Sequence, residues 1–178
     1  MQKRSLGNTD IKLTSIGFGG APLGNLFEEL NETDCFEIVK SCFENNINLF
    51  DTSPLYGYGL SEHRIGNFIK TVDPKSYYLS TKVGRYLTPE RNYYKDGKFK
   101  GHINFIPNFD YSYDGVMRSF DQSIHRLAVP EIDICLIHDV DRYTFGNEVD
   151  HYFKIAMNGA YKALNDLKEQ KVIKAIGV

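Results

Sequence analysis

The chain has 178 residues, 42% of them hydrophobic and 25% charged, with a formal net charge of −2. That length suffices for one domain with a sizeable core, and the near-neutral charge gives no basic face for nucleic acid. No apolar run approaches the roughly 20 residues that span a bilayer, and residues 1–7, Met-Gln-Lys-Arg-Ser-Leu-Gly, lack the apolar core of a secretory signal. Of the three cysteines, Cys35 and Cys42 lie seven residues apart in one helical pattern. That is roughly 10 Å along the axis, too far to bridge. Cys135 falls in an apolar run, and an odd count at buried-looking positions predicts a reducing, cytoplasmic setting.

In chain order, Arg4 to Leu6 and Ile11 to Leu13 read as a short hairpin around Gly7-Asn8-Thr9-Asp10. Ser15 to Gly19 reads as a strand ending in Gly19-Gly20-Ala21-Pro22. Residues 34–45 carry Phe36, Val39 and Phe43 at helical spacing, with Asn31 or Thr33 as the cap. Ile47 to Phe50 is a buried strand that stops at a carboxylate, Asp51. A Pro- and Gly-containing loop holds Tyr56, and Ser61 and Glu62 read as the cap and first-turn acid of a helix over residues 60–69.

Tyr77 to Val83 is strand-like and ends around Lys82 and Gly84. Residues 85–112 show no period but carry Tyr86, Tyr93, Tyr94, Phe99, Phe105 and Phe109, which predicts either a substrate-facing loop or an insertion packed on the surface. Val116, Phe120, Ile124 and Leu127 mark a third helix. Ile132 to Ile137 is a strand ending at His138-Asp139, followed by a polar loop over residues 139–153. Ala156, Ala160, Ala163, Leu164 and Leu167 mark a fourth helix, and Lys174 to Val178 begins a fifth strand. A hairpin followed by alternating strands and helices predicts a parallel α/β sheet with right-handed crossovers. Two architectures compete: a doubly wound five-stranded sheet of flavodoxin type, or part of a (β/α)8 barrel.

Four polar groups fall at or just past strand carboxyl ends: Asp51, Tyr56, Lys82 and His138. In parallel sheets those ends open onto one face, where chemistry collects. A phenol ionises near pH 10, so a Tyr base needs a neighbouring cation that favours its anion. An Asp beside that cation holds it in place. A neutral His can donate a hydrogen bond to an oxygen that is gaining negative charge. Together they suit proton transfer between an alcohol and a carbonyl. No side chain carries a hydride, so a cofactor would. Each residue also has a structural reading: Tyr56 as packing, Asp51 as a turn residue, Lys82 as a solvent-seeking strand end, His138 as a satisfied core histidine. Their coincidence on one edge favours the chemical reading. A metal site would want more ligands than His138, Asp139 and Asp141 supply. Gly17, Gly19 and Gly20 lack the spacing of a Rossmann dinucleotide loop.

Residues 50–62 (Phe-Asp-Thr-Ser-Pro-Leu-Tyr-Gly-Tyr-Gly-Leu-Ser-Glu), 80–84 (Ser-Thr-Lys-Val-Gly) and 133–139 (Asp-Ile-Cys-Leu-Ile-His-Asp) resemble the aldo-keto reductases, as do Leu6-Gly7-Asn8-Thr9 and Ile16-Gly17-Phe18-Gly19-Gly20. The resemblance runs over the whole chain. Within the family it is nearest the aldose 1-dehydrogenase branch, which takes in D-threo-aldose (L-fucose), L-galactose and pyridoxal dehydrogenases. It implies a (β/α)8 TIM barrel closed below by the hairpin, with NADP or NAD across its top and a sugar or aldehyde as substrate. It implies Tyr56 as the catalytic acid–base, with Lys82, Asp51 and His138 as its partners. Gly20, Ala21 and Asp51 would lie near the nicotinamide ribose, and the 85–112 stretch would border the substrate.

Family members continue for three further β-α units. The resemblance therefore predicts a single oxidoreductase domain over 1–178 that holds the hairpin and strands 1–5 and is incomplete at its C-terminus. The rival expectation is an inactive barrel fragment or interaction module completed by another chain. NAD versus NADP, the exact substrate, the reaction direction and the oligomeric state have no signal in the sequence.

Overall fold

A computed structural model describes residues 1–92 and 97–178. Tyr93 and Tyr94 of the expected aromatic stretch lie outside the described residues. The chain opens with an antiparallel hairpin of β1 (Lys3–Ser5) and β2 (Lys12–Thr14). Next come β3 (Phe18–Gly19), α1 (Glu32–Glu44), β4 (Leu49–Asp51), α2 (Leu60–Ile69) and β5 (Tyr78–Val83). A second antiparallel pair follows, β6 (Arg85–Pro89) and β7 (Phe105–Phe109), then α3 (Tyr113–Leu127) and β8 (Ile134–Ile137). The short α4 (Arg142–Phe145), then α5 (Val149–Asn158), α6 (Ala160–Glu169) and β9 (Ala175–Gly177) end the chain.

The main sheet has the order β3-β4-β5-β8-β9, and every neighbouring pair is parallel. A doubly wound sheet reverses its order at a switch point. Here each new strand is laid beside the last in one direction, as in a barrel wall. The flavodoxin-like alternative falls on that order.

Alternation along the strands separates two apolar layers. Phe50, Leu79, Val83, Cys135 and Ile137 face the helices and join Val39, Ile65, Phe68, Val116, Leu127, Ala163 and Leu164 in one buried core. The other face carries Leu49, Tyr78, Ile134, Leu136 and Ala175. The hairpin seals that inner face from below, packing Leu6, Ile11 and Leu13 against it. Buried Asn48 pins it there: its Oδ1 accepts from Thr14 N at 2.8 Å and its Nδ2 donates to Lys12 O at 2.8 Å.

Local chemistry sets the helix ends. Asn31 caps α1 by accepting from Asp34 N, and Ser112 caps α3 by accepting from Gly115 N. Three expectations need correction. The cap of α2 is Gly59, and Ser61 lies inside the helix, where its hydroxyl donates to Gly20 O at 2.7 Å. Within the stretch 85–112, residues 85–89 and 105–109 are not unstructured: they pair as β6 and β7, from Arg85↔Phe109 to Pro89↔Phe105. Their apolar and polar residues alternate too weakly to announce a strand, and the pairing supplies the stabilisation. The polar segment over 139–153 contains α4 and the first half of α5, and the single fourth helix is instead α5 and α6, broken at Gly159. There the chain passes so close to the Tyr111 carbonyl that an added Cβ would meet it at 2.4 Å.

Candidate active site

The register brings Asp51 and Lys82 together. Asp51 is paired with Ser80 across β4 and β5, and Lys82 follows two residues on, so all three side chains share the inner face. Ser80 Oγ donates to Asp51 Oδ1 at 2.8 Å, and Lys82 Nζ donates to Asp51 Oδ2 at 2.7 Å and to Thr52 O at 2.9 Å. The lysine side chain is only 12% exposed and the aspartate 29%. The ammonium is therefore desolvated, fixed in place and electrically balanced.

Tyr56 stands over this pair. Its turn is closed by Tyr56 N donating to Ser53 O at 3.1 Å, and its backbone rests directly on Gly24, where an added Cβ would lie 2.4 Å from Tyr56 C. Lys82 Nζ lies 4.9 Å from the centroid of the Tyr56 ring. His138 stands on the other side, its ring perpendicular to that of Tyr56 at 6.1 Å between centroids. The structure thus brings Asp51, Tyr56, Lys82 and His138 to one end of the sheet. Gly20 lies at the same edge, donating from its N–H to Asp51 O at 2.7 Å, and Ala21 begins the adjoining 3-10 turn.

His138 is 6% exposed. Burial, then the positive charges of Arg85 and Lys82, push its imidazole down to about 2, so the ring is neutral at any physiological pH. Ser53 Oγ lies 3.0 Å from its Nδ1, and Arg85 crosses to it from β6.

Ser53 and Arg85 were not visible in the sequence as site residues. Ser53 sits inside the Asp51–Tyr56 loop and could have been flagged by position. Arg85 follows Gly84, whose φ of +99° turns the chain sharply between β5 and β6. A side chain at Gly84 would also strike the Tyr111 ring, 2.3 Å away. That turn swings Arg85 back toward the strand ends, and local pattern alone does not announce it.

Phe99 covers Tyr56 from the side. It is 8% exposed, with its ring 6.2 Å from those of both Tyr56 and Tyr58. Its segment is tied to the turn after β3 by a bridge between Leu26 and Phe99 and by Phe27 N donating to Lys98 O. Among the described residues no group of three or more His, Cys, Asp or Glu side chains is placed to hold a metal.

The strand ends of this barrel wall thus bring together a tyrosine, a lysine–aspartate pair and a neutral histidine. The profile of the aldo/keto reductase family matches residues 15–178, and the chain belongs to that family. It is 38% identical over 189 residues to a pyridoxal 4-dehydrogenase of Microbacterium luteolum, covering 99% of this chain and 55% of the relative. It is 30% identical over 173 residues to a D-threo-aldose 1-dehydrogenase of a Pseudomonas species, covering 94% of this chain and 50% of the relative. An aldo-keto reductase of Bacillus halodurans, solved in its holo form, superposes with a TM-score of 0.71 at 26% identity, over 99% of this chain and 49% of that one. The chain spans about half the length of the curated relatives it matches. Among the described residues no helix is long and apolar enough to cross a membrane.

Proposed function

We propose that the protein is an NAD(P)-dependent oxidoreductase that interconverts an alcohol or hemiacetal with a carbonyl or lactone, and that its substrate is an aldose oxidised at the anomeric carbon. The observation that carries this reading is the placement of Lys82 Nζ, bonded to Asp51 at 2.7 Å and 4.9 Å from the Tyr56 ring. Tyr56 takes the proton of the substrate hydroxyl in oxidation and returns it in reduction. Lys82 supplies positive charge beside the phenol ring as that proton leaves. Asp51 holds the ammonium at the angle this requires. His138, neutral, donates a hydrogen bond to the substrate oxygen and orients it.

The nicotinamide cofactor accepts or delivers the hydride that no side chain can. The residues present fit it. Asp51 keeps acceptor capacity beyond its bonds to Ser80 and Lys82, and it remains partly exposed at the edge it shares with Gly20 and Ala21. Those three would hold the nicotinamide ribose. The sugar reading draws on the aldose named in one relative, and the polar groups at the strand ends suit a polyhydroxylated substrate. Residues 1–178 form part of a single catalytic domain in this reading.

The test is Tyr56→Phe in the complete protein, assayed with L-fucose, L-galactose and pyridoxal against NAD and NADP. The phenol supplies the proton path, so turnover falls by roughly 10²–10⁴-fold. Near wild-type turnover in the variant would sink the assignment of Tyr56. Turnover of pyridoxal and of neither sugar would replace the aldose by an aromatic aldehyde in its hemiacetal form.

A further inference from the structure

We propose that Arg85 is a positioning residue, which donates to Nδ1 of His138 and so fixes the imidazole as the neutral tautomer with its proton on Nε2. This deepens the role given to His138 in the proposed function and rests on it for its consequence in turnover.

The geometry of the pair carries the argument. Arg85 is 4% exposed. Its Nη1 lies 3.1 Å from His138 Nδ1 and 3.5 Å from Nε2, and its Nη2 donates to Asp139 Oδ2 at 2.9 Å. The guanidinium plane is held from behind by Phe109, whose ring centroid is 4.7 Å from Cζ. A guanidinium has donors only and does not lose its proton, so the nitrogen nearest to it presents a lone pair.

The other neighbours agree. Ser53 Oγ lies 3.0 Å from the same Nδ1 and already accepts from Leu55 N at 3.1 Å, which leaves its own proton to point at the ring. Nε2 instead has a carboxylate beside it, Asp139 Oδ2, at 3.4 Å. Asp139 reaches that place because its backbone is left-handed, at φ +47°, a conformation Asp tolerates. Donors surround Nδ1 and an acceptor faces Nε2, so the proton belongs on Nε2. Among the described residues, the remaining charged and aromatic groups that face the ring are Lys82 from β5 and the Tyr56 ring from the loop after β4.

Stability does not explain this arginine. Among the described residues its buried Nε has no hydrogen-bond partner. A buried donor without an acceptor is costly, and such costs collect where a side chain serves something other than folding. With Nδ1 occupied by Arg85 and Ser53, Nε2–H is the donor that a substrate oxygen takes up in competition with Asp139 Oδ2.

The test is two-bond ¹H–¹⁵N correlation spectroscopy of the protein labelled with ¹⁵N-histidine, between pH 8 and 5. In the wild type we expect His138 to show an unprotonated Nδ1 and a protonated Nε2 throughout. In Arg85→Met we expect averaged tautomers. Ser53→Ala is expected to keep the wild-type tautomer, because Arg85 still donates. An Nδ1–H signal in the wild type overturns the proposal, as does an unchanged His138 in a folded Arg85→Met. A switch to Nδ1–H in Ser53→Ala also overturns it, by assigning the control to the serine. The reaction is read separately. If the tautomers behave as expected while His138→Gln turns over near wild type, the role of His138 in catalysis fails and the assignment of Arg85 stands.

Discussion

The Lys82 ammonium meets the Asp51 carboxylate of the neighbouring strand at 2.7 Å. Asp51 faces Ser80, so residue 82 is the next side chain on the same face toward the carboxyl end. The pair is therefore built into the sheet and does not depend on a mobile loop. Replacing Lys82 by Met keeps an unbranched apolar stem and removes the charge. Turnover in the complete protein should fall by roughly 10²–10³-fold, the usual effect of deleting one preorganised charge partner. Asp51→Asn should fall less far, because Thr52 O still accepts from the ammonium. Steady-state kinetics of the two variants checks the order.

A further ion pair links two helices to the sheet. Glu62 on α2 is fully buried and accepts from Arg126 Nε of α3 at 2.6 Å and from Thr81 Oγ1 of β5 at 2.8 Å. Removing the cation leaves a carboxylate without its charge partner in the core. Arg126→Met should lower the unfolding free energy by roughly 3–5 kcal/mol. A urea denaturation curve reads this directly, and a change under about 1 kcal/mol would contradict it.

His138 makes stability depend on pH in a stated direction. Its folded value is near 2 and its ordinary value is 6.5. Below about pH 6.5 the unfolded imidazole takes up a proton that the native ring refuses, so stability falls as the pH falls. Above pH 7.5 the residue contributes no pH dependence. The slope on the acid side reaches up to about 1.4 kcal/mol per pH unit. Urea midpoints between pH 7.5 and 5 should fall more steeply in the wild type than in His138→Phe.

Gly66 lies where α2 crosses the end of α3, and a Cβ there would stand 2.3 Å from the Leu127 carbonyl oxygen. In an open helix, Gly→Ala stabilises by about 1 kcal/mol. Here the obstacle is backbone, which cannot turn aside, so the helices must separate. Gly66→Ala should destabilise by about 1–3 kcal/mol, measured by thermal or chemical unfolding.

Phe99 forms a wall beside Tyr56. Phe99→Ala opens that wall without touching Lys82, Asp51 or His138. The preferred substrate should lose at least roughly tenfold in kcat/KM, chiefly through KM, while bulkier alcohols gain. An unchanged ranking across a panel of sugars and aromatic alcohols would place the substrate elsewhere.

Much of this was legible in the chain. Leu49, Phe50 and Asp51 show an apolar run broken by a charge, and Lys82 closes the strand beside it, so the two carboxyl ends could be matched from the sequence. His138 follows Ile134–Ile137 in the same way. The β6–β7 hairpin was not legible, because Arg85–Pro89 and Phe105–Phe109 stabilise each other across a long connection and neither has a strong pattern alone. The start of α2 was misread because Ser61 has the chemistry of a cap, yet its hydroxyl serves Gly20 O and Thr52.

The sequence by itself determined which residue types stand at the strand ends, because hydrophobic periodicity and its interruption by Asp51, Lys82 and His138 are local properties. Only the tertiary structure decided how those residues are held. The one-directional strand order, the Asp51–Ser80 register, the Phe99 wall and the approach of Arg85 to His138 all join segments far apart in the chain. Pairing and packing across such separations depend on the shape of the whole sheet, and no local pattern encodes that shape.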